Sequence, residues 1–171
     1  MDRNGQGLIQ LYHYDSLFET VHTSHPVRCF CEDEDGNILI GTKGSGIKLL
    51  NPATKELTDY LNESKGLISN SVYALRRNKA NDIFIGTEGT GINILNAATG
   101  RLEKLEIPDK YPPFKAVYNI YFTNNDSLLW VGTSGYGLIK INISREQGRY
   151  HVKGFRQYNS SDKNISLNND V

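Results

Sequence analysis

The sequence lacks an excess of charge of either sign, because 19 Lys and Arg residues balance 19 Asp and Glu residues. This balance removes the general electrostatic argument for nucleic acid or an anionic membrane as a partner. No apolar run approaches the length of a bilayer span, and Met1–Gly5 does not open an apolar signal peptide. We therefore expect no direct membrane insertion, and either a cytoplasmic protein or a piece whose signal lies upstream.

Cysteine and other reactive side chains are also sparse. Cys29 and Cys31 are the only cysteines, and their spacing within a strand predicts two thiols on one face that act as small apolar side chains rather than a mutual disulfide. The histidines are not spaced as a metal set; they are His13, His22, His25 and His151. No nucleophile motif stands out. We predict no catalytic residue, no metal and no cofactor.

What the sequence does contain is a repeat. The pattern Gly-Thr-Xaa-Gly-Xaa-Gly occurs three times, beginning at Gly41, Gly86 and Gly132, which are 45 and 46 residues apart. A fixed period of this size indicates a repeat architecture. The glycines follow one predicted strand and precede another, so the helix N-terminus that a phosphate-binding loop requires is absent from the pattern.

The flanking residues define the boundaries of the units. We predict a leading half unit at 4–22, complete units at 27–60, 72–105 and 117–158, and the start of a further unit at 166–171. Each complete unit has four short β-type runs separated by turns. In the third unit the outer turn is predicted at Ser144–Gly148 and the last strand at Tyr150–Phe155.

Four short antiparallel strands in each unit of about 40–45 residues are typical of a β-propeller blade. The central strands, such as Leu129-Trp130-Val131, are apolar at consecutive positions, which predicts burial of both faces and places Trp130 in the blade core. The predicted fold is all-β: a partial β-propeller with three complete four-stranded antiparallel blades and a leading half blade.

Several stretches resemble a known family. Leu67–Val72 and Leu167–Val171 are similar to the start of the two-component regulator propeller repeat, Asp35–Asn37 to its turn, and Leu129–Thr133 to its central strand. That repeat is found in the sensor portions of bacterial hybrid histidine kinases. The resemblance covers essentially the whole chain, although Asn51, like its counterparts in the other units, replaces the usual Asp.

The resemblance implies a non-catalytic, ligand-sensing fragment of a periplasmic sensor that responds to oligosaccharides. It also implies that the full-length protein is a sensor histidine kinase, although the sequence contains no kinase signature. Two alternatives stay open: a propeller enzyme, such as a lyase or glycan hydrolase, and a pure protein-interaction scaffold. With so few blades, we also expect either an open arc that packs on other blades of the same protein or association with a second copy.

Topology ranks the surfaces available for recognition. In a four-stranded meander, the turn between the second and third strands lies at the same end as the long links between units, and long loops on a rigid scaffold often bind ligands. Tyr136 is the strongest candidate, because the other units have Ser45 and Thr90 at that position and packing should not require an aromatic ring. The candidate ligand-binding residues are Tyr136, Glu88, Lys43 and Ser134.

Overall fold

The computed structural model describes residues 25–159. Within this range the chain forms twelve strands and one short 3-10 helix, Glu63–Lys65. The first sheet contains β1 Val27–Glu32, β2 Ile38–Thr42, β3 Ile47–Asn51 and β4 Glu56–Leu61. The second contains β5 Val72–Arg77, β6 Ile83–Thr87, β7 Ile92–Leu95 and β8 Leu102–Lys104. The third contains β9 Val117–Thr123, β10 Leu128–Thr133, β11 Leu138–Glu146 and β12 Arg149–Tyr158.

Each sheet is an antiparallel meander in which sequential strands are neighbours. The first strands of the three sheets, β1, β5 and β9, lie beside one another, as the inner strands of adjacent propeller blades do. The predicted fold, a partial β-propeller built from four-stranded blades, is therefore confirmed. The predicted half unit at 4–22 and the further unit at 166–171 lie outside the described residues.

The Gly-Thr motif forms the turn between the second and third strands. In the first sheet the buried Thr42 hydroxyl donates to the carbonyl of Gly46 at 2.9 Å and accepts the N–H of Ser45 at 3.0 Å. Thr133 makes the equivalent bond to Gly137 at 2.7 Å. Gly46 has a φ of 72°, and a Cβ there would collide with the Leu61 carbonyl, so the turn requires glycine. The motif therefore forms and stabilises a hairpin turn.

Two apolar clusters join the sheets. Leu39 of the first sheet packs with Val72 and Ile85 of the second. Phe84 on the opposite face of the second sheet packs with Val117 and Leu129 of the third sheet. Because the second sheet is covered on both faces, every residue of β6 and β7 is buried. Burial of a side chain of this size stabilises the fold by about 1.5–3 kcal/mol.

The third sheet departs from two sequence predictions. β10 alternates between buried and partly exposed residues, so Trp130 is partly exposed rather than enclosed in a blade core. Only one face of β10 packs on the second sheet within the described residues. The predicted turn at Ser144–Gly148 is also wrong, because β11 and β12 continue to a two-residue turn at Gln147 and Gly148. Their φ values of 50° and 81° are those of a tight hairpin turn.

Candidate functional site at the bulge end of the sheets

Three of the predicted site residues occupy equivalent positions in the three sheets. Each directly follows the Gly-Thr pair, and its backbone N–H donates to the carbonyl of the residue that precedes the first strand of its own sheet. The bonds are Lys43 to Pro26 at 2.9 Å, Glu88 to Ser71 at 3.0 Å and Ser134 to Ala116 at 3.0 Å. The shared bond fixes all three residues at the same end of their sheets, as the meander topology predicted.

Backbone contacts between the sheets join these positions into a row. The backbones of Lys43 and Ser71 form an isolated β-bridge between the first and second sheets. The N–H of Ala116 donates to the carbonyl of Glu88 at 3.2 Å, joining the second sheet to the third. Lys43 and Glu88 are exposed, and Ser134 is partly buried. The row is therefore a backbone-linked and largely solvent-facing edge that runs across three sheets.

A β-bulge lies beside this row in every sheet. In each first strand the register shifts by one residue directly after the opening valine, between Val27 and Cys29 and at the equivalent places in β5 and β9. A bulge re-aims the extra side chain and is common beside binding and active sites. The three bulged residues are Arg28, Tyr73 and Tyr118.

The charges of Glu88 and Arg28 both act on the Tyr73 hydroxyl, so we call these residues and the neighbouring tyrosine the bulge cluster: Arg28, Tyr73, Glu88 and Tyr118. The rings of Tyr73 and Tyr118 lie 4.7 Å apart between centroids at an interplanar angle of 56°. Burial raises the pKa of the Tyr73 hydroxyl, the negative charge of Glu88 raises it further, and Arg28 opposes the shift. Tyr118 remains 41% exposed. The cluster thus combines accessible aromatic rings, a protonated phenol and charges of both signs.

Tyr136 differs from the expectation for this end of the molecule. Its side chain is partly buried against the core that joins the second and third sheets. Its backbone carbonyl accepts the Gln157 side-chain amide at 2.7 Å. The ring therefore packs against the protein, in addition to any role in recognition. A ligand contact by Tyr136 stays a prediction.

A cleft of about 320 Å³ opens at the same end of the second sheet, between β8 and the link to the third sheet. Leu105 and Phe114 form its buried apolar wall, and Lys104 and Glu106 contribute charge. Tyr111 also lines the cleft, and its ring stacks on Phe155 at 4.9 Å. The cleft has the size and mixed lining of a small-ligand pocket.

The opposite end of the second and third sheets holds a buried polar network around Asp82, which is 0% exposed. The Tyr150 hydroxyl donates to Asp82 Oδ2 at 2.7 Å, and the Ala97 N–H donates to Oδ1 at 2.9 Å. The Arg145 guanidinium lies 3.2 Å from Oδ2, and the Asn78 amide donates to the Tyr150 hydroxyl at 2.6 Å. We call these residues the Asp82 network.

Between residues 25 and 159, no three His, Cys, Asp or Glu side chains group as a metal site. His25 Nδ1 lies 2.5 Å from the Ser45 hydroxyl. Cys29 and Cys31 are free thiols that pack partly against the first intersheet core. No helix in the same range is long and apolar enough to cross a bilayer.

A comparison with known protein families also identifies the repeat. Residues 23–44 match the two component regulator propeller family. This match begins before β1 and ends at the turn after β2, and the resemblance inferred from the sequence is thereby confirmed. No curated protein sequence matches the chain.

Solved structures share the architecture. The chain is 25% identical, with a TM-score of 0.60, to the extracellular domain of the putative hybrid two component system BT3049 from B. thetaiotaomicron, over 79% of this chain and 18% of that one. For the extracellular domain of the putative hybrid two component system BT4673 from the same organism, the identity is 23%, the TM-score 0.57 and the coverage 78% and 18%. The chain thus spans about a fifth of the length of these neighbours.

The bulge cluster contains three residues that the sequence analysis did not single out. Arg28, Tyr73 and Tyr118 each directly follow the valine that opens a first strand. Their shared position in the repeat is visible in the sequence and could have identified them. The register shift that makes them the extra residues of their strands appears only once the strands are paired.

Proposed function

We propose that the chain is a ligand-recognition portion of an extracytoplasmic sensor that belongs to a two-component system. The observation that carries this proposal is the bulge cluster, in which a β-bulge repeated in three sheets presents two neighbouring tyrosines and the charges of Glu88 and Arg28 act on one of them. A repeated, backbone-fixed cluster on a rigid scaffold is suited to binding. The neighbour that supports it is described as the extracellular domain of a putative hybrid two component system.

The ligand class that fits this cluster is an oligosaccharide. Tyrosine offers an apolar ring face for the C–H face of a sugar and a hydroxyl for hydrogen bonding. Glu88 accepts and Arg28 donates hydrogen bonds, so both can pair with sugar hydroxyl groups. Lys43 and Ser134 extend the same polar edge on either side. The chain binds the sugar without altering it, and signals by contact in the periplasm to a histidine kinase in the full-length protein.

A glycan-array screen of the complete extracytoplasmic domain tests this function. We expect selective retention of one class of oligosaccharide, and recovery of the bound sugar with its length and linkages unchanged. Retention should be lost in the double variant Glu88→Ala/Tyr118→Ala. Release of shortened or unsaturated products would support a propeller enzyme instead, and binding of proteins but no glycan would support an interaction scaffold.

A further inference from the structure

The turn between the second and third strands is covered differently in the second sheet than in the other two. In the first and third sheets, a Cβ on the last glycine of the turn would collide with the carbonyl that ends the outer strand; the pairs are Gly46 with Leu61 and Gly137 with Tyr158. A Cβ on Gly91 would instead meet Cε of the Lys104 side chain, at 3.4 Å. The backbone of the outer strand therefore leaves the turn at Gly91 uncovered.

The length of the outer strand explains this difference. β4 and β12 continue until their last residues pair with the first residue of the third strand. β8 has three residues and ends at Lys104, and the link that follows contains three prolines, which cannot donate backbone hydrogen bonds to a sheet. The chain next bonds to this turn at Phe114, whose carbonyl accepts the N–H of Gly91 at 3.2 Å. The space left between is the cleft of about 320 Å³.

The apolar wall of the cleft is held in place by packing. Leu105 and Phe114 line the cleft and are each 1% exposed. Ile107 packs against the core between the second and third sheets. The Tyr111 ring stacks on Phe155 at an interplanar angle of 19°. These contacts are made without a ligand, so the wall is preformed for an apolar group.

The charged groups of the cleft are of both signs and are not used by the fold. Lys104 contributes an ammonium group, and Glu106 and Asp109 contribute carboxylates. All three residues are exposed, and none of their side chains takes part in an ion pair within residues 25–159. One positive and two negative groups beside an apolar wall are therefore available to a ligand.

We propose that the cleft binds a zwitterionic amino acid with an apolar side chain. Lys104 pairs with the ligand carboxylate, and Glu106 and Asp109 pair with its ammonium group. The ligand side chain lies against Leu105 and Phe114. Ligand pockets span roughly 300–1,000 Å³, so this cleft has the size for one small molecule rather than an oligosaccharide. The site is separate from the bulge cluster and goes beyond the proposed sugar recognition.

Isothermal titration of L-phenylalanine and L-leucine into the full chain tests the ligand class. We expect saturable binding of at least one of them. Phenethylamine lacks the carboxylate and N-acetyl-L-phenylalanine lacks the ammonium group, so each should bind at least about tenfold more weakly than L-phenylalanine or than L-leucine, whichever binds tighter. Absence of saturable binding by both amino acids, or equal binding of the two analogues, overturns the proposal.

Matched variants assign the binding to the cleft. Lys104→Met keeps the aliphatic stem but removes the charge, so it should weaken binding of the amino acid about tenfold and leave the weaker binding of phenethylamine unchanged. Lys115→Met, in the same link but outside the cleft lining, should bind as the wild type does. An equal loss in both variants, or a loss of phenethylamine binding in Lys104→Met, overturns the assignment.

One further variant separates this site from the proposed sugar site. Tyr118→Ala changes the bulge cluster and leaves every residue of the cleft in place, so it should bind the amino acid with wild-type affinity. Because the ligands differ, a failure of sugar recognition would leave this result unaffected. Loss of amino acid binding in Tyr118→Ala would show that the cleft is not a separate site and overturns the proposal.

Discussion

At one end of the second and third sheets Asp82 is fully buried beneath Tyr150 and Arg145, whereas at the other end Glu88 and Tyr118 face solvent. Both ends contain a carboxylate, a tyrosine and an arginine. At the buried end the Asp82 side chain itself accepts the bonds from its neighbours. At the exposed end the backbone of Glu88 makes the fixing bonds, on its N–H and its carbonyl.

This difference indicates that the buried carboxylate stabilises the fold, whereas the exposed carboxylate is available for recognition. A carboxylate held through its own oxygens in a dry site contributes to the fold, and its removal leaves buried partners without a bond. A carboxylate held through its backbone keeps its oxygens on the surface, where a ligand can reach them. We therefore expect changes in the Asp82 network to alter the free energy of unfolding, and changes in the bulge cluster to alter binding.

The largest expected effect follows the loss of the Asp82 carboxylate. Asp82→Ala leaves the Arg145 guanidinium and the Tyr150 hydroxyl without their buried acceptor, so the free energy of unfolding should fall by about 3–5 kcal/mol. Urea denaturation followed by circular dichroism measures this. Asp59→Ala is the matched control, because Asp59 is an exposed acid whose ion pair with Lys48 lies at the surface. An equal loss in both variants would contradict the structural role of the network.

A smaller loss is expected when only the phenolic hydroxyl of Tyr150 is removed. Tyr150→Phe keeps the ring that packs edge-on against Phe84 at 5.0 Å but removes one hydrogen bond to Asp82 and one from Asn78. The free energy of unfolding should fall by about 1–3 kcal/mol. Tyr121→Phe, at an exposed tyrosine of β9, should leave it unchanged. A Tyr150→Phe protein as stable as the wild type would show that the hydroxyl contributes nothing.

The same hydroxyl makes stability depend on alkaline pH. Burial, together with the hydrogen bond to Asp82, raises the pKa of Tyr150 from 10.0 to about 12. Because the folded state then holds its proton more tightly than the unfolded state, stability is complete below pH 10 and falls between pH 10 and 12. Urea titrations at pH 8, 10 and 11 should show this fall, and Tyr150→Phe should reduce it. If the stability of Tyr150→Phe falls with pH as steeply as that of the wild type, the pH dependence does not come from the Tyr150 hydroxyl.

The smallest effect concerns the thiols of β1. Burial raises the pKa of Cys29 to about 12 and also raises the pKa of the less buried Cys31. Thiolate is the reactive form, so both should alkylate slowly at pH 8, and Cys29 more slowly than Cys31. Iodoacetamide labelling with mass spectrometry measures the two rates. Labelling in urea should make the rates equal; a folded protein in which Cys29 reacts first would contradict the packing of β1.

The sequence allowed most of the strand order to be predicted because the repeat constrains it. The second strands in particular, such as Ile83–Thr87, agree with the prediction because an apolar run ends at a Gly-Thr turn. The equivalent placement of Lys43, Glu88 and Ser134 was also predictable, since a meander leaves the second turn at the same end in every unit. Local patterning was enough for these features.

The remaining features depend on how the strands pair and on which neighbouring sheets cover each sheet. Trp130 has the pattern of a buried residue, but burial requires a sheet on each side, and the described part of the chain supplies one for the third sheet. Tyr73 and Tyr118 approach each other because a register shift re-aims both side chains. The turn at Gln147 and Gly148 was missed because the strands beside it are polar and resemble a loop.

In the proposed function, the bulge cluster recognises the ligand. Isothermal titration of the oligosaccharide selected on the array against the complete extracytoplasmic domain tests it directly, with Tyr118→Ala and the matched variant Tyr121→Ala on the same strand. Tyr118→Ala should weaken binding at least about tenfold, as the loss of a central aromatic contact does, while leaving the Tm close to the wild-type value. Tyr121→Ala should bind as the wild type does. Unchanged affinity in Tyr118→Ala, or an equal loss in both variants, would show that the bulge cluster does not recognise the ligand.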